Sequence, residues 1–189
     1  MTNNVILCGV GGQGTVLASK LLAAAAMDRG LPVKTAETIG MAQRGGSVFS
    51  HVRIGEGAAS PLIGRSRADL IIAFEPAEAV RQLPFLRAGG TVVVSDRPVV
   101  PVSATVGGPP YDVDAIMAYL RARVHNLVVV DANKAADELG STKCLNVVLL
   151  GAATRSGALS LTPDDIESAI RQLVRPHFLD LNLRALNWR

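Results

Sequence analysis

Short apolar runs closed by glycine or proline recur along the chain and alternate with longer stretches of helical composition. Val5-Ile6-Leu7-Cys8 is continuously apolar and ends in glycines, the pattern of a strand buried on both faces of a parallel sheet. Residues 13–29 then read as a helix that stops at Gly30, a C-terminal cap, with Pro32 just beyond. Residues 33–37 complete a βαβ unit, and residues 47–54 read as a third strand in which Val48, Val52 and Ile54 nearly alternate and one face is more polar. After a turn-rich segment over 55–67, residues 70–74 and 91–95 are two more buried strands, separated by a helix over 76–86 and a Gly89-Gly90 turn. Residues 98–110 are rich in proline and glycine and read as an irregular crossing or edge segment. A helix over 111–124, an apolar strand over 127–130 and helices over 133–139, 146–155 and 163–174 follow. The last of these has Thr162 as N-cap, Pro163 at the first helical position, and Asp164 and Asp165 at the positive end of the helix dipole. With no repeat, linker or low-complexity block, the pattern predicts one α/β domain over residues 1–189. Its expected core is a single doubly wound, mostly parallel, Rossmann-like sheet with helices on both faces and a helical C-terminal end.

Composition narrows the chemistry. The 189 residues, 49% apolar, fill one such domain and leave no room for a separate substrate-binding domain, so elaborate redox chemistry needs a partner. A net charge of +3, with no basic run interleaved with aromatics, gives no reason to expect nucleic acid. Of the 19 basic residues 15 are Arg, which suits recognition of carboxylate, phosphate or an interface through the guanidinium fork, although genomic base composition produces the same bias. Cys8 and Cys144 are far apart and form no Cys-x-x-Cys, so they cannot hold a four-cysteine iron–sulfur cluster or a structural zinc. Cys8 reads as a buried, inert thiol. His51, His125 and His177 have no metal-ligand spacing, and no metal site is expected. Met1-Thr2-Asn3-Asn4 enters the first strand without a basic segment or cleavage site, and no apolar run is long enough to span a bilayer; a cytoplasmic chain with no membrane partner is expected.

Gly9, Gly11 and Gly14 satisfy G-x-G-x-x-G between a strand and a helix, where glycine permits a tight turn and close approach of the backbone to an anion. Three readings stand side by side. One is an NAD or FAD site, with Glu37 placed as the ribose-binding acid. The second is a phosphate or coenzyme A type of anion contact that also uses Gly12, Gln13 and Thr15. The third is turn geometry alone. The extra Gly12, the length of the chain and the lack of a His/Tyr/Lys set for hydride transfer weigh against the first.

One βαβ unit later comes Gly40-Met41-Ala42-Gln43-Arg44-Gly45-Gly46-Ser47, an arginine braced by two glycines, which the spacing predicts to lie beside the glycine turn. Together with Gly9-Val10-Gly11-Gly12-Gln13-Gly14-Thr15, Glu37-Thr38-Ile39, Ser50-His51-Val52-Arg53-Ile54-Gly55, Ser60-Pro61-Leu62-Ile63, Phe74-Glu75-Pro76, Gly89-Gly90-Thr91-Val92-Val93-Val94, Val99-Val100-Pro101-Val102 and Asn146-Val147-Val148-Leu149-Leu150-Gly151, this loop resembles the gamma-type subunits of the 2-oxoacid:ferredoxin oxidoreductases. Within that family the Met-Ala-Gln-Arg-Gly-Gly form is most similar to the indolepyruvate branch, beta subunit, many of whose members carry histidine where this chain has Ile39.

The resemblance covers nearly the whole chain and implies a division of labour. Thiamine diphosphate, its Mg²⁺ and the iron–sulfur (4Fe-4S) clusters belong to a larger alpha subunit, where a 2-oxoacid is decarboxylated, two electrons pass to ferredoxin and the acyl group leaves on coenzyme A. This chain completes the complex and carries no cofactor. Arg44 then points at a carboxylate or phosphate at the subunit boundary, or else sits in solvent or caps a helix; Gly45 and Gly46 let a partner backbone come close. Met41, Gln43 and Ser47 belong to the same loop, and Gln43 and Ser47 offer it neutral hydrogen bonds. Glu37 accepts a bond from the glycine turn or from Arg44 as a structural pair. Arg65 and Arg67 read as a solvated loop, or else as charges that steer an acidic substrate or coenzyme A phosphates, and Trp188 as either a partner anchor or a tail packed on its own chain.

Overall fold

The computed structural model describes residues 2–37, 40–57, 59–101, 104, 107 and 110–189. Among them, six strands form one sheet in the order β2-β3-β1-β4-β5-β6: β1 (Asn3–Val10), β2 (Val33–Glu37), β3 (Ser47–Ile54), β4 (Ala68–Ala73), β5 (Leu86–Ser95) and β6 (Asn126–Val130). β1, β4, β5 and β6 pair in parallel, whereas β3 runs antiparallel to both β1 and β2. The two ends of the first βαβ unit are thus parallel but not neighbours, because β3 is inserted between them. Periodicity reports which residues face a core, not which strand lies alongside, so this insertion was not visible in the sequence.

Among the described residues seven helices flank the sheet: α1 (Thr15–Asp28), α2 (Pro76–Gln82), α3 (Val113–Arg123), α4 (Ala132–Leu139), α5 (Leu145–Arg155), α6 (Pro163–Leu173) and α7 (Pro176–Asn187). Successive side chains of a strand point to opposite faces, so the continuous apolar runs feed two cores at once. Val5 and Leu7 of β1, Leu70 and Ile72 of β4 and Val93 of β5 pack with α1, α5, α6 and the C-terminal part of the chain. Ile6 and Cys8, Ile71 and Ala73, and Val92 and Val94 pack with α2 and α3. The doubly wound, mostly parallel α/β architecture expected from the sequence is the one observed.

Local signals set most boundaries. α1 ends in a Schellman turn, with Gly30 at φ +69° donating to Met27 O and Leu31 N donating to Ala26 O. α6 starts with the reciprocal Thr162/Asp165 capping box. Three expectations need correction. The helix read over 76–86 stops at Gln82 and passes through a tight turn over Leu83–Phe85 straight into β5. Gly89 and Gly90 therefore lie inside β5, in an irregular stretch before the regular pairing with β4 resumes at Leu70 and Thr91, rather than in a turn. α7 was not read as a separate helix; it packs on α5 where Gly151 meets the Leu186 carbonyl. Trp188 donates from Nε1 to Glu138 Oε2 at 2.7 Å, which makes the C-terminus a tail packed on its own chain. Parts of the 98–110 segment (Val102, Ser103, Thr105, Val106, Gly108 and Pro109), together with Thr38 and Ile39, lie outside the described residues.

The contact at Gly151 yields a test. Alanine is the better helix former by about 1 kcal/mol, but a Cβ at Gly151 would overlap the Leu186 carbonyl backbone. Gly151→Ala is expected to lower stability by about 1–3 kcal/mol, overcoming its propensity gain; a chemical-denaturation midpoint equal to or above wild type would contradict the α5–α7 packing.

Candidate functional site

The chain leaves β1 through α1 toward the β3/β2 side of the sheet and leaves β4 through α2 toward β5. The carboxyl ends of β1 and β4 are thus the topological switch point, where open α/β sheets place their ligands. The glycine turn lies there. Gln13 braces it: Oε1 accepts from Val10 N at 2.7 Å and Nε2 donates to Phe74 O at 3.0 Å, joining the ends of β1 and β4. Both ends of the Gln13 amide are thus engaged within the chain, which gives Gln13 a structural part in holding the turn. Gly9 leaves room for that amide, because a Cβ there would lie 2.7 Å from Gln13 Oε1. Gly14, at φ +86°, packs on Asn146 at the start of α5, and Thr15 is buried in the first turn of α1.

Gly11 serves another chain segment. Its N–H donates to Gly46 O at 2.8 Å, and a Cβ on it would fall on the backbone of Ala42 and Gln43. Residues 41–43 form a tight helical turn closed by Gln43 N to Gly40 O and Arg44 N to Met41 O, and Gly46 N returns to Ala42 O at 2.9 Å. The glycine turn and the 40–47 loop thus lie against each other, backbone on backbone. Gly45 takes φ +83° with open space around it, while Gly46 is held close to Ala42. Met41 is 76% exposed, and the Arg44 guanidinium has no hydrogen bond or ion pair among the described residues.

This arrangement bears on the dinucleotide reading. The close approach that such a fold gives to a pyrophosphate is here given to residues 42–43, and β3 occupies the place beside β1 where the second strand would stand. Glu37 accepts from Ser19 Oγ of α1 at 2.6 Å, so its partner is neither the glycine turn nor Arg44. Gly11, Gly12, Gly14 and Thr15 line a cavity of about 370 Å³ with Gln43, Val48 and Ser50. On the other side of Gly12 a cavity of about 260 Å³ opens beside Phe74, Ser95, Arg97, Lys143 and Asn146. Arg97 and Lys143 carried no signal in the sequence beyond ordinary loop composition, and Asn146 entered only as the first residue of the Asn146–Gly151 stretch of the family resemblance.

A pair of buried carboxylates, Glu75 and Glu78, lies beneath the loop, a burial that nothing in the sequence announced although Glu75 belongs to the Phe74-Glu75-Pro76 stretch of the family resemblance. Glu75 is 1% exposed and Glu78 5%. Glu75 caps α2, accepting from Glu78 N at 3.0 Å through Oε2, and takes the Tyr111 hydroxyl on Oε1. Glu78 accepts from Arg81 Nε at 3.1 Å and from Ser47 Oγ at 2.5 Å. Ser47 is thereby a link within the chain. Burying carboxylates is costly unless their oxygens are bonded, and here every oxygen has a donor. Burial, with the Glu75 bond second, pushes the Tyr111 phenol well above its ordinary value. Burial followed by Glu78 and Glu75 raises the Cys8 thiol likewise, as suits an inert core cysteine.

Elsewhere the side chains have structural partners. His51 is buried between Phe49 and Phe85 and accepts from Ile63 N at 3.1 Å. Arg65 and Arg67 are exposed near Phe85, at the opposite end of the sheet from the glycine turn. Among the described residues no group of three or more His, Cys, Asp or Glu side chains is arranged to hold a metal ion, and no helix is long and apolar enough to cross a membrane. The two cysteines are both buried and cannot supply the four thiolates of a cluster, so the residues present do not fit one.

The profile of the pyruvate ferredoxin/flavodoxin oxidoreductase family matches residues 4–187. The chain belongs to this family. Among its relatives, indolepyruvate oxidoreductase subunit IorB of Archaeoglobus fulgidus is 43% identical over 98% of this chain and 92% of its own length. The subunit of the same name from Pyrococcus horikoshii is 36% identical over 97% and 92%. A keto/oxoacid ferredoxin oxidoreductase gamma subunit from Geobacter sulfurreducens shares the fold, with a TM-score of 0.71 at 22% identity, covering 99% of this chain and 93% of that one. The resemblance carried by the glycine turn and the Arg-Gly-Gly loop is thereby matched over nearly the whole chain. As a member of the family, the chain is a subunit of an oxidoreductase.

The Glu75–Tyr111 contact gives this family member a testable pH response. The folded phenol keeps its proton to higher pH than the unfolded one, so above the unfolded value of about 10 the native state binds more protons and stability falls as pH rises. Between about pH 8 and about pH 11 the wild type should lose more denaturation free energy than Tyr111→Phe, which has no phenol to ionise. Parallel pH profiles for the two proteins would contradict a buried, Glu75-bonded phenol.

Proposed function

We propose that residues 1–189 act as one domain, the cofactor-free subunit of a cytoplasmic indolepyruvate:ferredoxin oxidoreductase. Its partner is a large alpha subunit holding thiamine diphosphate, Mg²⁺ and iron–sulfur clusters. In the overall reaction a 2-oxoacid and coenzyme A thiol yield acyl-coenzyme A, carbon dioxide and a proton, and two electrons pass to ferredoxin. The single observation that carries this reading is the 40–47 loop, held by its backbone on Gly11 yet exposing Met41 and an Arg44 whose guanidinium has no hydrogen bond or ion pair among the described residues. Such a rigid, exposed presentation suits an interface bordering the partner's active site. The names borne by the most similar relatives support an arylpyruvate substrate. Arg97 and Lys143, flanking the cavity beside Gly12, suit the anionic part of coenzyme A.

Co-expression with the large subunit tests the assignment. Assayed without oxygen, with coenzyme A and ferredoxin, the complex should show its highest kcat/KM for indolepyruvate among indolepyruvate, phenylpyruvate, pyruvate and 2-oxoglutarate; preference for another of these would move the chain to another branch of the family. Arg44→Ala should cost roughly 1.5–3 kcal/mol, about ten- to a hundredfold in assembly affinity or in kcat/KM. Arg44→Lys should recover only part of the loss, because it keeps the charge and loses the fork. Arg171, paired with Glu167 on the surface of α6, is the control whose replacement by Ala leaves both quantities unchanged. Wild-type assembly and turnover in the Arg44→Ala complex would refute the proposed site.

A further inference from the structure

Arg44 joins β3 through Gly45 and Gly46, and Gly46 is fixed on both sides of its peptide, its N–H donating to Ala42 O and its O accepting from Gly11 N. Gly45, at φ +83° in open space, is the flexible step, so the direction of Arg44 depends on how firmly the Gly46–Ser47 limb is held. One hold is the backbone contact with Gly11. The other is Ser47, the first residue of β3, whose hydroxyl donates to Glu78 Oε2 at 2.5 Å across a separation of 31 residues.

Glu78 is built as an anchor. Its side chain is 7% exposed, while its cationic neighbour Arg81 is 65% exposed. Its backbone N–H is taken by Glu75, its carbonyl accepts from Cys8 Sγ of β1 at 3.5 Å, and its other carboxylate oxygen is taken by Arg81. One residue thus ties together β1, the first turn of α2 and the exit of the loop. A well-packed apolar side chain would serve stability as well as a buried carboxylate does; what the carboxylate adds is direction, because it holds a particular hydroxyl in place.

We propose that Glu78 is a positioning residue: through Ser47 it fixes the exit of the 40–47 loop and hence the direction in which Arg44 is presented to the partner. The inference rests on the reading of Arg44 given above, and it makes Ser47 and Glu78 parts of the site that act only through Arg44. Glu78 touches no reactant.

The test is a double-mutant cycle in the complex with the large subunit, reading kcat and KM for indolepyruvate. Ser47→Ala should lower kcat/KM about tenfold. Ser47→Thr, which retains the hydroxyl, should restore most of the activity, and Glu78→Gln should fall between Ser47→Ala and wild type. In an Arg44→Ala background Ser47→Ala should cause no further loss, because the group being positioned is gone. Losses that simply add, or a Ser47→Ala complex with wild-type kinetics beside an impaired Arg44→Ala complex, would overturn the role of Glu78 while leaving that of Arg44 intact. An Arg44→Ala complex with wild-type turnover would overturn the reading of the loop and this inference with it. Should Glu78→Gln fail to fold, the Ser47 variants decide the matter on their own.

Discussion

The backbone of residues 42 and 43 lies so close to Gly11 that no β-carbon fits between them, and the Gly11 N–H to Gly46 O bond closes the contact. Gly11 is not in a left-handed conformation, so space alone demands glycine there. From this one approach much of the site follows. The chain must return from β2 to the end of β1, which brings β3 in antiparallel beside β1, in register from Val10 opposite Ser47 to Asn3 opposite Ile54. At Gly11 the close approach that a dinucleotide-binding fold gives to a ligand is taken by the chain's own loop, while cavities stay open on either side of Gly12. Gln13 locks the other side of the turn to the end of β4.

Beneath the loop the physics changes from space to charge. Both cores are apolar and continuous, but at the carboxyl ends of β1 and β4 the chain buries Glu75 and Glu78 and satisfies them with a hydroxyl, an amide, a serine and an arginine drawn from α2, the start of β3 and the segment before α3. Buried polar networks hold geometry when every member is satisfied. Here the network is tied through Ser47 to the limb of the loop that follows Gly45 and Gly46. The exposed Arg44 and Met41 are therefore displayed on a supported platform.

Much of this was legible in the residues. The apolar runs of β1, β4 and β5 became strands buried on two faces, with no polar positions to confuse the pattern, that of β6 became a partly exposed edge strand, and the Gly30 and Thr162 caps marked helix ends through their own chemistry. The family was legible because the Arg-Gly-Gly loop and the glycine turn constrain each other. What stayed hidden was set by tertiary contact. β3 could not be placed between β1 and β2 from its alternation. α7 buries only Asn182, Ala185 and Leu186, too narrow a stripe to announce a helix after Pro176. Glu75 and Glu78 look like surface residues in any local reading, and only their distant partners Tyr111 and Ser47 make them interior ones.

The glycine turn holds the 40–47 loop against itself, backbone on backbone, and the proposed contact with a partner subunit depends on that fit. Gly11→Ala tests it most directly, because the added methyl would fall on the backbone of Ala42 and Gln43, outside both apolar cores. The variant is expected to keep its far-ultraviolet spectrum and a cooperative unfolding transition, while its affinity for the large subunit, measured by titration, falls about tenfold or more. A Gly11→Ala chain that folds and binds the large subunit as tightly as wild type would contradict the account.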